Sequence, residues 1–455
     1  MIIAREIADR IHALRFEDIG PEALEWTRHA FTDTIGCALA GMMDQGPRIL
    51  MSVPGVAEAP GPALIYATNT RTSVLDAALV NGTASHALDY DDVAASMGGH
   101  PSAVLVAPLI ALGEQTGASG RDLALAYVVG FETECRIGRG VHFHHYEKGW
   151  HPTATLGIFG TVAAAARLLH LTPDITAVAL GMAASFASGL KANFGTMTKP
   201  LHAGRAAAAG IEAVRLSQLG LTSAPDVFEH AAGYLSALSP AGRADRERPC
   251  ELGRTVRILE SGLSVKAYPV CYSGHRVIDG VVGIAERENI LPTQVRRVRV
   301  TLGPAQASML RNHRPRTGLE AKFSAEFAIA AALVERKVGL SQLTDSFVAR
   351  EDVRGLLDKV VIDITHRPDP LDPAFSYADR VVIELQDGRS FDSGDIRFAR
   401  GSAKLPLEAA ALRRKFLDCM ATGAVPAFQG PGADTALYER IAQLEALPSL
   451  RQFFG

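Results

Sequence analysis

What this chain lacks narrows its class before any motif is read. Cysteine is scarce: Cys37, Cys135, Cys250, Cys271 and Cys419 are odd in number, scattered and never closely spaced. That argues against a disulfide framework or a cysteine-built zinc site and fits a reducing, cytoplasmic compartment. Charge of one sign is lacking too, since 46 Lys and Arg stand against 49 Asp and Glu, a net charge of −3 with no long like-charged run. Nothing draws such a chain to a phosphate backbone or to anionic lipid, so neither nucleic acid nor a membrane is an expected partner. The most apolar stretches, residues 103–112 and 176–190, are broken by Pro, Gly or Ser short of the ~20 residues a membrane span requires. The N-terminus, MIIAREIADRIHALRF, has charges among its apolar residues and no signal-peptide core. No GxGxxG follows a strand, and neither GxxxxGK[ST] nor GxSxG occurs, which removes the best signals for nicotinamide, nucleotide-phosphate and serine-hydrolase chemistry.

What is present is an ordinary globular composition, 47% apolar and 21% charged over 455 residues, long enough for two or three domains. Ile3, Ile7, Ile11 and Leu14 fall on one helical face. From there to about residue 240, Ala, Leu, Gly and Val recur at spacings of three and four. Small residues such as Gly157, Gly160 and Ala164 let neighbouring backbones approach, which predicts a bundle with buried central helices. The mixed-charge stretch RADRERPCELGRTVR, ending at Arg257, marks a plausible boundary. Beyond it the period shifts to two, at Val298, Val300 and Leu302, then Val360, Ile362 and Ile364, then Val381, Ile383 and Leu385 before the turn Asp387-Gly388. A helical stretch, FSAEFAIAAALVER, separates the first two strands, and after Lys404 the helical period returns with Leu412, Phe416, Met420, Leu437, Ile441 and Leu444. The expected fold is mainly α: a discontinuous all-α helical domain over 1–260 and 403–455 and a smaller α+β domain over 261–402.

Four polar clusters set ionisable groups beside Gly, Pro or a helix start, where backbone geometry can aim them at a ligand. In HALDYDDVAASMGGHPSA, Asp89, Asp91 and Asp92 crowd three carboxylates into four positions and His100 follows a Gly pair. An aspartate there can orient an imidazole as general acid or base, with helix-capping aspartates and a loop histidine as the equal alternative. In VHFHHYEKGWHPTATLG, His142, His144, His145 and His151 invite a metal site, but no HExxH spacing occurs and adjacent His144 and His145 must point apart. Pro152 disfavours helix at His151 and Thr153 can cap the next helix, which leaves that imidazole at a helix mouth as either a site or a structural group. In NFGTMTKPLHAGRAAAAG, Pro200 suits the first helical position, with Lys199 at the cap and His202 and Arg205 in the opening turns. A cation there opposes the helix dipole and calls for a compensating anion, so a carboxylate or phosphate receptor is favoured over a surface lysine. SVKAYPVCYSGHRVIDG brings Lys266, Tyr268, Cys271, Tyr272 and His275 to the start of the second domain, as a junction pocket or an ordinary domain entry. The basic RNHRPR over 311–316 either helps to bind an acidic substrate or is simply solvated.

Taken together, LVNGTASHALDYDD, GGHPSA, GWHPTATLG, KANFGTMTKPLHAG, VKAYPVC, AKFS and VIELQDG resemble the MmgE/PrpD family over essentially the whole chain. The resemblance implies a large all-α domain from both chain ends, a smaller α+β lid domain, a homodimer, and an enzyme that uses neither metal nor organic cofactor. Family activities include 2-methylcitrate dehydratase, cis-aconitate decarboxylase and iminodisuccinate epimerase, all of which control a proton on carbon next to a carboxylate of a small polycarboxylate. Carried over residue by residue, the decarboxylase site falls on Asp89, His100, His151, Lys199 and Lys266, with Tyr146, His202, Arg205, Cys271 and His275 as expected substrate contacts. The resemblance thus implies that the two lysines and the helix start at Pro200 hold carboxylates, that His100 and His151 exchange protons, and that Asp89 orients one imidazole. The chain departs from the decarboxylase at Val93, where that enzyme has threonine, in LRNHRP, where its tyrosine has no counterpart, and at Cys271, where it has a further histidine. Those departures, with the forms HHYEKGWHPTATLG and FGTMTKPLH, turn the main expectation toward an epimerase, an isomerase. A lyase of the dehydratase or decarboxylase type is the alternative, and a non-catalytic carboxylate-binding protein the second.

Overall fold

Small residues at helical spacing decide how the first part of the chain packs. The computed structural model describes residues 2–250, 255–370, 374–423, 433–451 and 453–454, without the side chains of His142, Ala433 and Asp434. It divides into two compact units, Met1–Val265 with Glu408–Gly455 and Lys266–Leu407. Within the charged stretch expected to mark the change, residues 251–254 lie outside the described residues.

In the first unit, α1 (Ile3–Ala13) buries Ile3, Ile7 and Ile11, and α2 (Phe16–Gly41) is buried throughout its second half. Past a short helix at Gln45–Met51, the helices that matter to the site are α3 (Val74–Ala87), α4 (Pro101–Thr116), α5 (Gly120–Lys148), α6 (Pro152–Thr155), α7 (Gly157–Leu168), α8 (Pro173–Phe186) and α9 (Thr198–Gln218). α3 and α4 are buried along nearly their whole lengths and lie in the interior, with no wholly polar side. Close approach needs glycine: a Cβ at Gly157 of α7 would stand 2.5 Å from Val104 of α4, and one at Gly204 of α9 2.2 Å from the Leu79 carbonyl of α3. These contacts lock α3, α4, α7 and α9 into one core.

The second unit is built on a four-stranded sheet of β1 (Val295–Leu302), β2 (Val360–Ile364), β3 (Arg380–Leu385) and β4 (Ser390–Asp392), in the order β2-β1-β3-β4. β1 runs parallel to β2, with Val298 opposite Val360, and antiparallel to β3, with Val298 opposite Ile383. A parallel pair needs a long crossover, and the helix Ala325–Glu335, capped by Ser324, lies within it. Val298, Val300 and Leu302 face the core, as do Val381, Ile383 and Leu385. β2 departs from the expected alternation: Val360 and Ile362 are half-buried and Ile364 is exposed, because β2 is an edge strand with a single neighbour.

The chain then returns to the first unit as α10 (Ala409–Gly423) and α11 (Ala433–Ala442), which bury Leu412, Phe416, Met420, Leu437 and Ile441, and Leu444 is buried just beyond α11. No helix among the described residues is long and apolar enough to cross a membrane.

Candidate active site

Two His-Pro pairs set the geometry of the first unit's polar cluster. His100 caps α4 with Pro101 first in the helix, and His151 caps α6 with Pro152 first. Proline loses nothing at that position, because its missing N–H would have no partner there. It also holds the preceding residue extended, so both imidazoles leave their helices at the mouth, at φ −106° and −100°. The two starts are tied together where His100 N–H donates to Thr153 Oγ1 at 3.1 Å, so Thr153 serves His100 rather than capping its own helix. Gly98 turns the chain at φ +67°, and a Cβ at Gly99 would lie 2.8 Å from the Thr153 nitrogen.

The three carboxylates just after α3 leave the chain in different directions, beginning with Asp89 in the left-handed region at φ +51°. Asp89 accepts from Lys199 Nζ at 2.5 Å and lies 3.7 Å from His100 Nε2. Asp91 Oδ2 is 2.9 Å from His86 Nδ1 and 3.1 Å from His100 Nδ1. Asp92 accepts from the Ser102 hydroxyl at 2.5 Å and from the Ser102 N–H at 3.3 Å, fastening the start of α4, and Ser102 meets the Tyr127 hydroxyl at 2.8 Å. Asp89 is thus chiefly the partner of the lysine, while Asp91 abuts the imidazoles. α9 begins at Thr198, two residues ahead of expectation, so Lys199 is its second residue and Pro200 its third. The anion that compensates this lysine is the protein's own Asp89.

His151 Nδ1 lies 3.1 Å from His202 Nδ1, so one ring donates to the other. His86 stacks on His151 with centroids 5.7 Å apart, and Phe194 stands edge-on to His151 at 4.9 Å with Lys199 Nζ 5.3 Å from its centroid. Burial drives these imidazoles toward the neutral form. His86 is lowered to about 3 by desolvation, against the pull of Asp91 and with the push of Lys199 and His100. His151 is held well below the histidine range by burial, then by His86, Lys199, His202 and His100, and His202 is lowered by burial and Lys199. Burial opposes charge on Asp91, yet His100 and His86 outweigh it and hold that carboxyl well below the usual range. The arrangement offers bases beside a carboxylate-paired ammonium. His86, Asp89, Asp91 and His100 also bring potential ligand atoms within 4.8 Å of one another, a spacing a divalent cation can use, although the Lys199 ammonium already occupies Asp89.

Asp89, His100, His151, Lys199 and His202 therefore converge in the first unit. Tyr146 is buried nearby in sequence, with Lys191 Nζ 3.7 Å over its ring. Arg205 is exposed on α9, with no hydrogen bond or ion pair among the described residues. His144 meets Glu147 and Arg243 while His145 turns inward to Thr155 and Leu238, so the adjacent pair does point apart. Lys266, Cys271 and His275 belong to the second unit, all three buried. There His275 Nε2 meets the Val270 carbonyl at 3.2 Å, between the rings of Tyr268 and Tyr272. The basic stretch at 311–316 is largely exposed, with His313 against Glu326 and Arg314 against Asp358, as expected of a solvated patch. His86 was not anticipated; its five-residue separation from Asp91, across the end of α3, was the available signal.

The MmgE/PrpD N-terminal domain model matches residues 5–247 and the C-terminal domain model residues 268–427. The chain belongs to the MmgE/PrpD family. Its relatives include a Homo sapiens cis-aconitate decarboxylase, 29% identical over 91% of this chain and 87% of that one. The Mus musculus cis-aconitate decarboxylase is 28% identical over 91% and 86%, and that of Aspergillus terreus 27% over 85% and 83%. As an MmgE/PrpD protein the chain is an enzyme, and these relatives weigh for the lyase alternative over the epimerase.

Proposed function

We propose that this MmgE/PrpD enzyme is a lyase that removes CO2 from a small unsaturated polycarboxylate of the cis-aconitate kind. The observation that carries it is the cluster in which Lys199, Asp89, His100 and His151 meet at three helix starts. Relatives named as cis-aconitate decarboxylases across 85–91% of the chain support the same chemistry.

In this mechanism Lys199 and the opening N–H groups of α9 hold a carboxylate that stays on the substrate. The bond to the departing carboxylate breaks and releases CO2, its electron pair forms a new double bond to the adjacent alkene carbon, and the former double bond's pair shifts onto the far alkene carbon. Negative charge then develops on a carbon conjugated with the retained carboxylate, where the ammonium stabilises it. That carbon then takes a proton from an imidazole of the site. His100 and His151 are the proton-transfer groups, and Asp89 holds Lys199 in place. An epimerase would also handle a proton next to a carboxylate but would break no C–C bond. Lys266, a buried lysine of the second unit, is the other cation the family resemblance nominates.

The test is a substrate panel. Purified protein is given cis-aconitate, 2-methylcitrate and iminodisuccinate in turn, with products tracked by NMR. CO2 and a decarboxylated alkene from cis-aconitate, abolished in Lys199→Met and Lys266→Met, are expected. Inversion of iminodisuccinate without CO2 would return the epimerase, and dehydration of methylcitrate the dehydratase.

A further inference from the structure

The proposed reaction asks His151 for a proton in a place that withholds charge from it. His151 is 2% exposed, its ring stacks on His86 and meets the edge of Phe194, and Lys199 lies over that same phenyl ring. Burial first, then these neighbours, favour the neutral imidazole. The one side-chain hydrogen bond His151 makes among the described residues joins its Nδ1 to Nδ1 of His202 at 3.1 Å. Two N–H groups facing each other at that distance would repel, and so would two bare lone pairs, so the rings share a single hydrogen. One stretch of backbone holds both rings. His151 N–H donates to the Gly189 carbonyl at 3.0 Å, and Gly189, at φ +136°, leaves the room that His202 fills, since a Cβ there would stand 3.3 Å from the His202 ring. His202 is half-buried and lies three residues beyond Lys199 on α9, on the same side of the helix. With Nδ1 committed to His202, the nitrogen left for substrate is His151 Nε2, which hydrogen-bonds to nothing among the described residues.

We infer that His202 is a positioning residue: joined to His151 by one hydrogen between their Nδ1 atoms, it aims His151 Nε2 at the substrate and shares the positive charge that His151 carries as an acid. The shared hydrogen stands on the contact alone; its catalytic consequence rests on the decarboxylase function proposed above. The loaded pair carries one hydrogen on His151 Nε2, one between the two Nδ1 atoms and one on His202 Nε2, for a single positive charge. When the substrate carbon takes the hydrogen of His151 Nε2, the bridging hydrogen rests on His151 Nδ1 and both rings are neutral. Water reloads Nε2 once product has left. A further hydrogen would set two N–H groups against each other, so the pair never carries two charges. A neutral acceptor on Nδ1–H steadies the imidazolium much as a carboxylate does in a Ser-His-Asp triad, without adding a negative charge beside Lys199. On this reading His202 serves His151 rather than touching substrate.

The test reads the shared hydrogen directly. Protein labelled with 15N-histidine is studied by NMR for 15N–15N coupling across the hydrogen bond, with His151→Gln and His202→Gln used for assignment. The native enzyme is expected to show one ring hydrogen coupled to a nitrogen of each residue, a signal lost in His202→Leu. On cis-aconitate, His202→Leu should lower kcat on the order of 10–10²-fold, the weight of a hydrogen bond to a charged group, with KM within a few-fold. His202→Gln, whose amide oxygen accepts from Nδ1–H, should recover several-fold of that loss. A native spectrum without the coupling would overturn the inference. So would a higher KM at unchanged kcat in His202→Leu, the mark of a substrate contact, or Gln and Leu variants that are equally slow. The native spectrum decides even if the variants fail to fold. The coupling as stated with no CO2 from any acid of the panel would sustain the pairing and remove the decarboxylase function instead.

Discussion

The sheet of the second unit and the polar cluster of the first treat charge in opposite ways. On the sheet of the second unit, Arg299 pairs with Asp363 across β1 and β2, Arg296 with Glu384 across β1 and β3, and Arg380 with Asp392 across β3 and β4, all at the surface. Exposed pairs of this kind are worth about 0–1 kcal/mol each and mainly keep the face soluble. In the first unit, by contrast, Asp89–Lys199, Asp91 with its two imidazoles, and Asp33–Lys415 are almost wholly withdrawn from water. Taking such ions out of water costs several kcal/mol, so retained buried charge needs a reason beyond stability. At Lys199 the proposed reason is chemistry. At Lys415 it is placement: this α10 residue donates to the Tyr90 carbonyl at 2.7 Å and lies 3.8 Å over the Tyr90 ring. Tyr90 sits between Asp89 and Asp91, so the C-terminal segment grips the turn that aims both carboxylates.

That contrast can be broken at its strongest point first. His100→Gln and His151→Gln should each lower kcat on the order of 10²–10⁴-fold while leaving unfolding by urea little changed, since acid–base groups contribute about that much. Full activity in both would detach the cluster from the reaction. Next, Lys415→Met strands the Asp33 charge and should cost about 3–5 kcal/mol of stability, with a parallel loss of activity as the turn loosens. Adding Asp33→Leu to remove the stranded charge should recover much of the stability; no recovery would mean that the ion pair is not the cause.

A smaller effect has a pH signature. Glu134 is fully buried in α5, with neither carboxyl oxygen hydrogen-bonded among the described residues, and burial followed by Asp92 raises it well above 4.5. For a raised acid, stability is fully present below the unfolded value and lost as pH rises toward the folded one. Relative to Glu134→Gln, the native protein should lose about 1.4 kcal/mol per pH unit above 4.5, until the folded value is passed. Parallel stability–pH curves for the two proteins would exclude a protonated buried Glu134. Least of all, Arg299→Ala on the second unit's sheet should change stability by under about 1 kcal/mol; a loss several times larger would erase the contrast between sheet and cluster.

The sequence was most legible where one force dominates. Helical spacing located the buried faces of α1 and α10, and period two located β1 and β3, because burial of one face leaves a regular trace. It failed at β2, where edge position leaves Ile364 exposed despite the same alternation. In the site, the His151-Pro152 pair announced one helix mouth from local backbone rules, whereas His100 was read only as following a Gly pair and its helix start came from the structure. The partners of the carboxylates were hidden, since which of Asp89, Asp91 and Asp92 meets an imidazole depends on a left-handed turn at Asp89 and on α9 arriving from 110 residues away. Arg205, close in sequence to Lys199, is exposed on α9, a placement its spacing from Lys199 did not announce.

In the chemistry proposed for the first unit, a polycarboxylate loses CO2 and the imidazoles deliver the replacing proton. The sharpest check runs cis-aconitate in D2O and counts CO2 released against deuterium entering the product. One deuterium at a single carbon for each CO2, with both falling together in His100→Gln and His151→Gln, is the predicted result. Deuterium exchange without CO2, or CO2 release undiminished in both variants, would contradict it.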